Sequence, residues 1–144
     1  LPFTGFASCI IFDSNFYTNK LNLEERVEFD LGNFPIQIQL KCVSYSGKLL
    51  RYIKNPDEYV QLESLKQNAD SIKYIETPSL KVQLACIDYS RFSGTICYIK
   101  NLYPEAQLKN CIKYGENLSC IIDTPCEEVL EYLRNKKNGV YQVL

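Results

Sequence analysis

The chain has 144 residues, of which 46% are hydrophobic and 23% are charged, with a formal net charge of −1 and no histidine. These values are typical of one globular domain with a buried core, and they exclude the basic footprint of proteins that bind duplex nucleic acid or anionic membranes. The absence of histidine excludes Cys/His zinc sites and histidine-dependent catalytic triads. We therefore predict that the chain is not an enzyme, and we expect no metal ion, no cofactor and no catalytic residue.

Residues 1–35 do not share the pattern of the rest of the chain. Val27, Phe29 and Leu31 alternate with polar residues, which is typical of a β-strand. A small β-hairpin and a divergent helical repeat are both compatible with this segment. In either case we expect it to form an N-terminal cap.

Four stretches beyond this segment share one frame, namely IQLKCV, VQLESL, VQLACI and AQLKNC. Their leucines are Leu40, Leu62, Leu84 and Leu108, so the spacing is 22, 22 and 24 residues. Fixed periods in this range are typical of solenoid proteins, in which stacked units bury a shared apolar face. We predict an all-α fold, an α-solenoid of about four to five helix-turn-helix units, with the repeats in residues 36–128.

The second unit shows how one repeat is built. Asn55 followed by Pro56 predicts a helix start, with Asn55 as N-cap and Pro56 as the first helical residue of a helix over 56–67. A second short helix is expected to end at Ile75. The same start signal recurs at Thr77 with Pro78, and at Thr124 with Pro125, where Glu127 completes a capping box.

The third unit is two residues longer than the others. We expect the extra residues near Leu102 and Tyr103, in the loop between repeats, where insertions cost little. A fifth unit is expected to begin at Pro125, with Val129, Leu130 and Leu133 on a helix. Residues 134–144 are more polar at first and fit the repeat less well, and we predict C-terminal capping helices over residues 129–144.

The segments NPDEYVQLESLKQNADSIKYI and TPSLKVQLACIDYS resemble the 22-residue helical repeats abundant in proteins of giant viruses, large phages and some intracellular bacteria. The resemblance covers about residues 36–128 and is absent before Pro35. It weakens in the fourth unit, where Cys120 replaces a tyrosine. It implies a binding scaffold and implies no catalytic residues.

Two polar columns recur at matched positions. The glutamine column is Gln39, Gln61, Gln83 and Gln107, and the tyrosine column is Tyr52, Tyr74 and Tyr98. The amides could bind the backbone of a partner, or they could form hydrogen bonds with backbone groups of the turn between repeats. Their recurrence in every unit favours the second role. The tyrosines are compatible with stacking on bases or with core packing, and the lack of a basic stripe favours packing.

The seven cysteines are predicted to be thiols rather than disulfides. Cys42 and Cys86 occupy the same position of the repeat, which is typical of small buried residues. Thiols imply a reducing compartment, and we expect a cytoplasmic location.

Positions that differ between matched units are the ones that we expect to contact a partner, together with aromatic residues outside the core columns. The candidates are Arg51, Lys54, Tyr59, Lys73, Glu76, Phe92, Lys100 and Tyr103. The leading hypothesis is a viral or phage-type factor that binds a host protein and masks its surface stoichiometrically in the host cytoplasm. The alternative is binding of RNA or single-stranded nucleic acid by the tyrosines and lysines of the second helices. An enzymatic role is the least favoured.

Overall fold

The computed structural model describes residues 30–115 and 125–139. All regular structure over these residues is helical, and they contain no strand, so the prediction of an all-α fold is confirmed at this level. The two alternatives for the N-terminal segment, residues 1–35, fall mostly on residues 1–29, which lie outside the described residues. Leu31, the last residue of the alternating pattern, begins a 3₁₀ helix. The N-cap predicted at Thr124 and the substitution at Cys120 also lie outside the described residues.

Two kinds of helix alternate along the described chain. The α-helices are α1 (Ile36–Tyr45), α2 (Glu58–Gln67), α3 (Leu80–Tyr89), α4 (Pro104–Tyr114) and α5 (Glu127–Lys137). The 3₁₀ helices are η1 (Leu31–Asn33), η2 (Gly47–Tyr52), η3 (Ala69–Tyr74) and η4 (Ser93–Tyr98). None of the helices in the described ranges is long and apolar enough to cross a bilayer.

Contacts between helices join neighbouring units. Each α-helix from α1 to α4 packs against the α-helix that follows it, and η2, η3 and η4 contact one another in the same order. The core lies between the two series, where Leu50, Leu65, Ile72 and Ile87 are fully buried. Because burying one such side chain stabilises the fold by about 2 kcal/mol, helices too short to persist alone are held by their neighbours.

The helix starts differ from the predicted ones by two residues. The N-cap of α2 is Asp57, whose carboxylate accepts a hydrogen bond from the backbone N–H of Tyr59, and the N-cap of α3 is Ser79. The predictions of Asn55 and Thr77 as N-caps are therefore wrong. Pro56 lies in the turn before α2, where its carbonyl accepts a hydrogen bond from the Gln61 side chain. The fixed φ of proline suits a turn as well as a helix.

The two extra residues of the third unit lie in another loop from the one predicted. One residue separates α1 from η2 and α2 from η3, whereas three residues separate α3 from η4. The loops that lead from η2, η3 and η4 to the next α-helix each have five residues. The insertion is therefore at residues 90–92, and the prediction that placed it near Leu102 and Tyr103 is wrong.

Candidate functional site

The glutamine column is bound to the turns between units, and Gln39, Gln83 and Gln107 are buried while Gln61 is half-buried. The Gln83 side chain donates from Nε2 to the carbonyl oxygens of Pro78 and Asn101, at 3.2 and 2.8 Å. Its Oε1 accepts from the backbone N–H of Tyr103, the N-cap of α4, at 2.9 Å. Gln107 repeats the arrangement, with its Nε2 on the Leu102 carbonyl and its Oε1 accepting from Cys126 N–H. The amides of Gln83 and Gln107 therefore form hydrogen bonds with backbone groups of the turns between units, as expected if their role is structural.

Gln39 and Gln61 make the matching bond in the earlier units. The Nε2 atom of Gln39 donates to the Phe34 carbonyl, and that of Gln61 donates to the Pro56 carbonyl, each at 2.8 Å. In all four units the acceptor lies five residues before the glutamine. Each glutamine of the column is thus hydrogen-bonded to the turn that leads into its own α-helix.

A second structural column consists of the small residues that recur at the repeat position of Cys42 and Cys86 on the α-helices, where the second unit has Ser64. The Ser64 hydroxyl donates to the Gly47 carbonyl of the preceding unit at 3.0 Å, and the Cys86 thiol donates to the Ala69 carbonyl at 3.7 Å. Both side chains are fully buried. Recurrence of small residues at this position was the available signal, but the partner carbonyl depends on how the units stack.

The tyrosine column changes along the chain. Tyr52 and Tyr74 are partly buried and pack against the core, whereas the Tyr98 side chain is 49% exposed. Core packing therefore does not extend to Tyr98. Instead its ring lies beside Lys73, whose Nζ is 5.7 Å from the Tyr98 centroid and 5.2 Å from that of Tyr74.

All eight residues proposed as partner contacts are exposed, but the structure distributes them over several places. The exposed residues are Arg51, Lys54, Tyr59, Lys73, Glu76, Phe92, Lys100 and Tyr103. Arg51 lies over the Tyr52 ring, with Cζ 4.6 Å from the centroid. Lys54 and Glu76 line one groove of about 400 Å³ beside Tyr74. Lys100 and Tyr103 lie in the loop between η4 and α4, away from that groove.

Among the described residues, Phe92 is the most exposed large apolar side chain, at 74%, and it belongs to the insertion. It lines a groove of about 350 Å³ with Arg91, Tyr89 and Lys66. The base of this loop is anchored, since the Lys113 ammonium and the Tyr114 hydroxyl of α4 both donate to the Ser90 carbonyl. The repeat is therefore broken at an anchored loop that presents an aromatic ring to solvent.

Tyr59 lies in a polar cluster on the α-helices. Its ring is 70% exposed and has the Lys81 ammonium 5.9 Å from the centroid. Glu58 accepts a hydrogen bond from the Ser79 hydroxyl at 2.9 Å and pairs with Lys81 at 3.2 Å. The pKa of the Glu58 carboxyl is lowered, chiefly by the Ser79 hydrogen bond and then by Lys81.

The thiols in the described ranges differ in burial, and they form no metal-binding group. Cys42, Cys86 and Cys111 are buried, while Cys97 is exposed, so the prediction of core thiols does not hold for Cys97. Burial raises the pKa of Cys86 to about 12, with the Asp70 charge adding to the effect, and this disfavours the nucleophilic thiolate. No group of three or more Cys, Asp or Glu residues in this part of the chain is arranged to hold a metal ion.

Comparison of the chain with protein-family models, with curated proteins and with solved structures finds no match.

Proposed function

We propose that this chain is a protein-binding α-solenoid of about four to five units that acts by stoichiometric association and not by catalysis. The proposal rests on a difference between the glutamines that recur in every unit and the residues proposed as partner contacts. The constant glutamines are bound to backbone inside the chain, and three of the four are buried. The eight residues proposed as partner contacts, including the inserted Phe92, are exposed.

The chemistry of the exposed residues favours a protein partner. Phe92 and Tyr59 are aromatic and more than two-thirds exposed, and aromatic side chains are enriched among the residues that dominate protein–protein affinity. The net charge of −1 offers little general attraction to a nucleic acid. The tyrosine rings of the 3₁₀ helices already have cations over them, which competes with the base stacking that the nucleic-acid alternative needs.

The biological version of the proposal follows from the resemblance to repeats of giant viruses and large phages. A factor of that kind would occupy the surface of a host protein in the host cytoplasm and block it without chemical change. This step is an analogy between repeat types.

The proposal is tested by affinity capture from candidate host extracts, with nuclease-treated and untreated samples side by side. We expect a protein that is retained in equimolar amount and is insensitive to nuclease. Retention that disappears on nuclease treatment, or that falls steeply with salt as phosphate contacts do, would favour the nucleic-acid alternative. Repeated capture of no protein would count against both the interaction and the masking role.

A further inference from the structure

The 3₁₀ helices carry a concentration of positive charge that the whole chain does not have. Residues 47–54, 69–76 and 93–100 contain five basic residues and two acidic ones, a local excess of three positive charges against −1 for the full chain. The basic residues are Lys48, Arg51, Lys54, Lys73 and Lys100, and all are exposed. We call these five residues, with Tyr52, Tyr74 and Tyr98, the basic edge.

The basic edge is continuous from one unit to the next. The helices η2, η3 and η4 contact one another in order, and Lys73 of η3 lies beside the Tyr98 ring of η4. Packed helices are about 10 Å apart, so three units present cations along about 20 Å. An extended peptide covers that distance with about seven residues.

The cations at the centre of the edge are held in place by aromatic rings. Lys73 lies within cation–π distance of both Tyr74 and Tyr98, and Arg51 is 4.6 Å from the Tyr52 centroid. Contacts of this kind stabilise the position of the cation. A restrained side chain loses less conformational entropy when it binds an anion, which favours association.

The ion pairs within the described ranges use other cations, namely Lys81, Lys109 and Arg134. The basic edge therefore presents ammonium and guanidinium groups to solvent, with the Arg51 guanidinium also donating to the Tyr52 hydroxyl, while its ring faces lie against cations. Carboxylates are suited to such donors, and flat bases are less suited because the rings on which they would stack are covered. The groove between Lys54 and Tyr74 is also lined by Asn55, Thr77 and one acidic residue, Glu76.

From this arrangement we propose that the basic edge binds an extended, acidic segment of the partner protein, with Arg51 and Lys73 as its central contacts. This inference rests on the proposed function and specifies the chemistry of the partner. It also assigns the tyrosine column a role beside the core packing of Tyr52 and Tyr74, because the rings position cations.

The test measures fluorescence anisotropy of a labelled peptide of about ten residues in which Glu alternates with Ser. The neutral control peptide has Gln in place of Glu, and an oligouridylate of equal charge is the third probe. We expect the acidic peptide to bind at low salt, more tightly than either of the other two probes. The Arg51→Gln/Lys73→Gln double variant should bind it about fivefold more weakly, as expected for two exposed ion pairs.

The matched control is Lys41→Gln/Lys137→Gln, which removes the same charge from exposed positions on α1 and α5. It should leave the peptide affinity within about twofold of the wild type. Equal losses in both double variants, tighter binding of the oligouridylate, or no binding of the acidic peptide would overturn the inference. A protein captured through Phe92 would still support the proposed function in those cases, so the two failures are distinguishable.

Discussion

The Gln83 Oε1 atom accepts a hydrogen bond from the Tyr103 backbone N–H across 2.9 Å, which ties α3 to the first residue of the following unit. The same amide donates to two carbonyls, and its side chain is 99% buried. We predict that Gln83→Leu lowers the free energy of unfolding by about 2 kcal/mol, because it leaves buried backbone groups without partners. Urea denaturation measures this, with Gln37→Leu at an exposed position of α1 as control. Equal stability of the two variants would show that the amide does not join the units.

Gly47 is required by close approach of the next unit. A Cβ atom at this residue would lie 2.6 Å from the Ser64 carbonyl oxygen and 2.7 Å from the Ser71 hydroxyl, whereas a Cβ at Gly94 would meet nothing within 4 Å. Gly47→Ala should therefore cost about 2 kcal/mol of stability through forced displacement of α2. Gly94→Ala should be neutral or stabilise by about 0.5 kcal/mol. Thermal unfolding of the pair checks this, and a Gly47→Ala protein as stable as Gly94→Ala would contradict the packing.

Cys86 makes stability depend on alkaline pH. Its folded-state pKa is raised to about 12 from the ordinary value of 9.0, so the stabilising contribution is complete below pH 9. Between pH 9 and about 12 the unfolded thiol loses its proton while the folded one keeps it, and stability falls as pH rises. The Cys86→Ser variant retains a donor for the Ala69 carbonyl without this titration. Its unfolding free energy should therefore fall less steeply than that of the wild type between about pH 9 and about pH 11. Parallel curves would contradict the burial of this thiol.

Glu58 provides a test of the cluster around Tyr59. Its folded-state pKa is lowered by the Ser79 hydroxyl first and by Lys81 second, so its contribution to stability is present at neutral pH and is lost as pH falls through the carboxyl range. NMR titration of the Glu58 carboxyl should give a pKa below the ordinary value of 4.5. The Ser79→Ala variant should move it upward more than Lys81→Met does. A larger shift in Lys81→Met would mean that the ion pair, and not the hydroxyl, sets the titration.

The sequence predicts the helical class and the internal role of the glutamines because both follow from a period visible in the residues. It misplaces the insertion at residues 90–92 because the loops on either side of each 3₁₀ helix contain turn residues, and the period alone does not distinguish them. Asn55 and Pro56 suit a turn as well as a helix start, since proline has the same φ in both. The bond from Ser64 to the Gly47 carbonyl depends on the distance between units, which no local pattern encodes.

The most direct test of the account is affinity capture of the partner protein with a Phe92 variant. It asks whether the residues that depart from the repeat bind the partner. The Phe92→Ser variant removes the exposed ring of the insertion, and Tyr45→Ser removes an exposed ring of α1 that is 58% accessible and belongs to none of the proposed contacts. At equal folded concentration, we predict that Phe92→Ser retains the partner at least about tenfold more weakly than the wild type, as the loss of a dominant contact requires. Tyr45→Ser should retain it like the wild type. Undiminished capture by Phe92→Ser, or equal losses in both variants, would contradict the account.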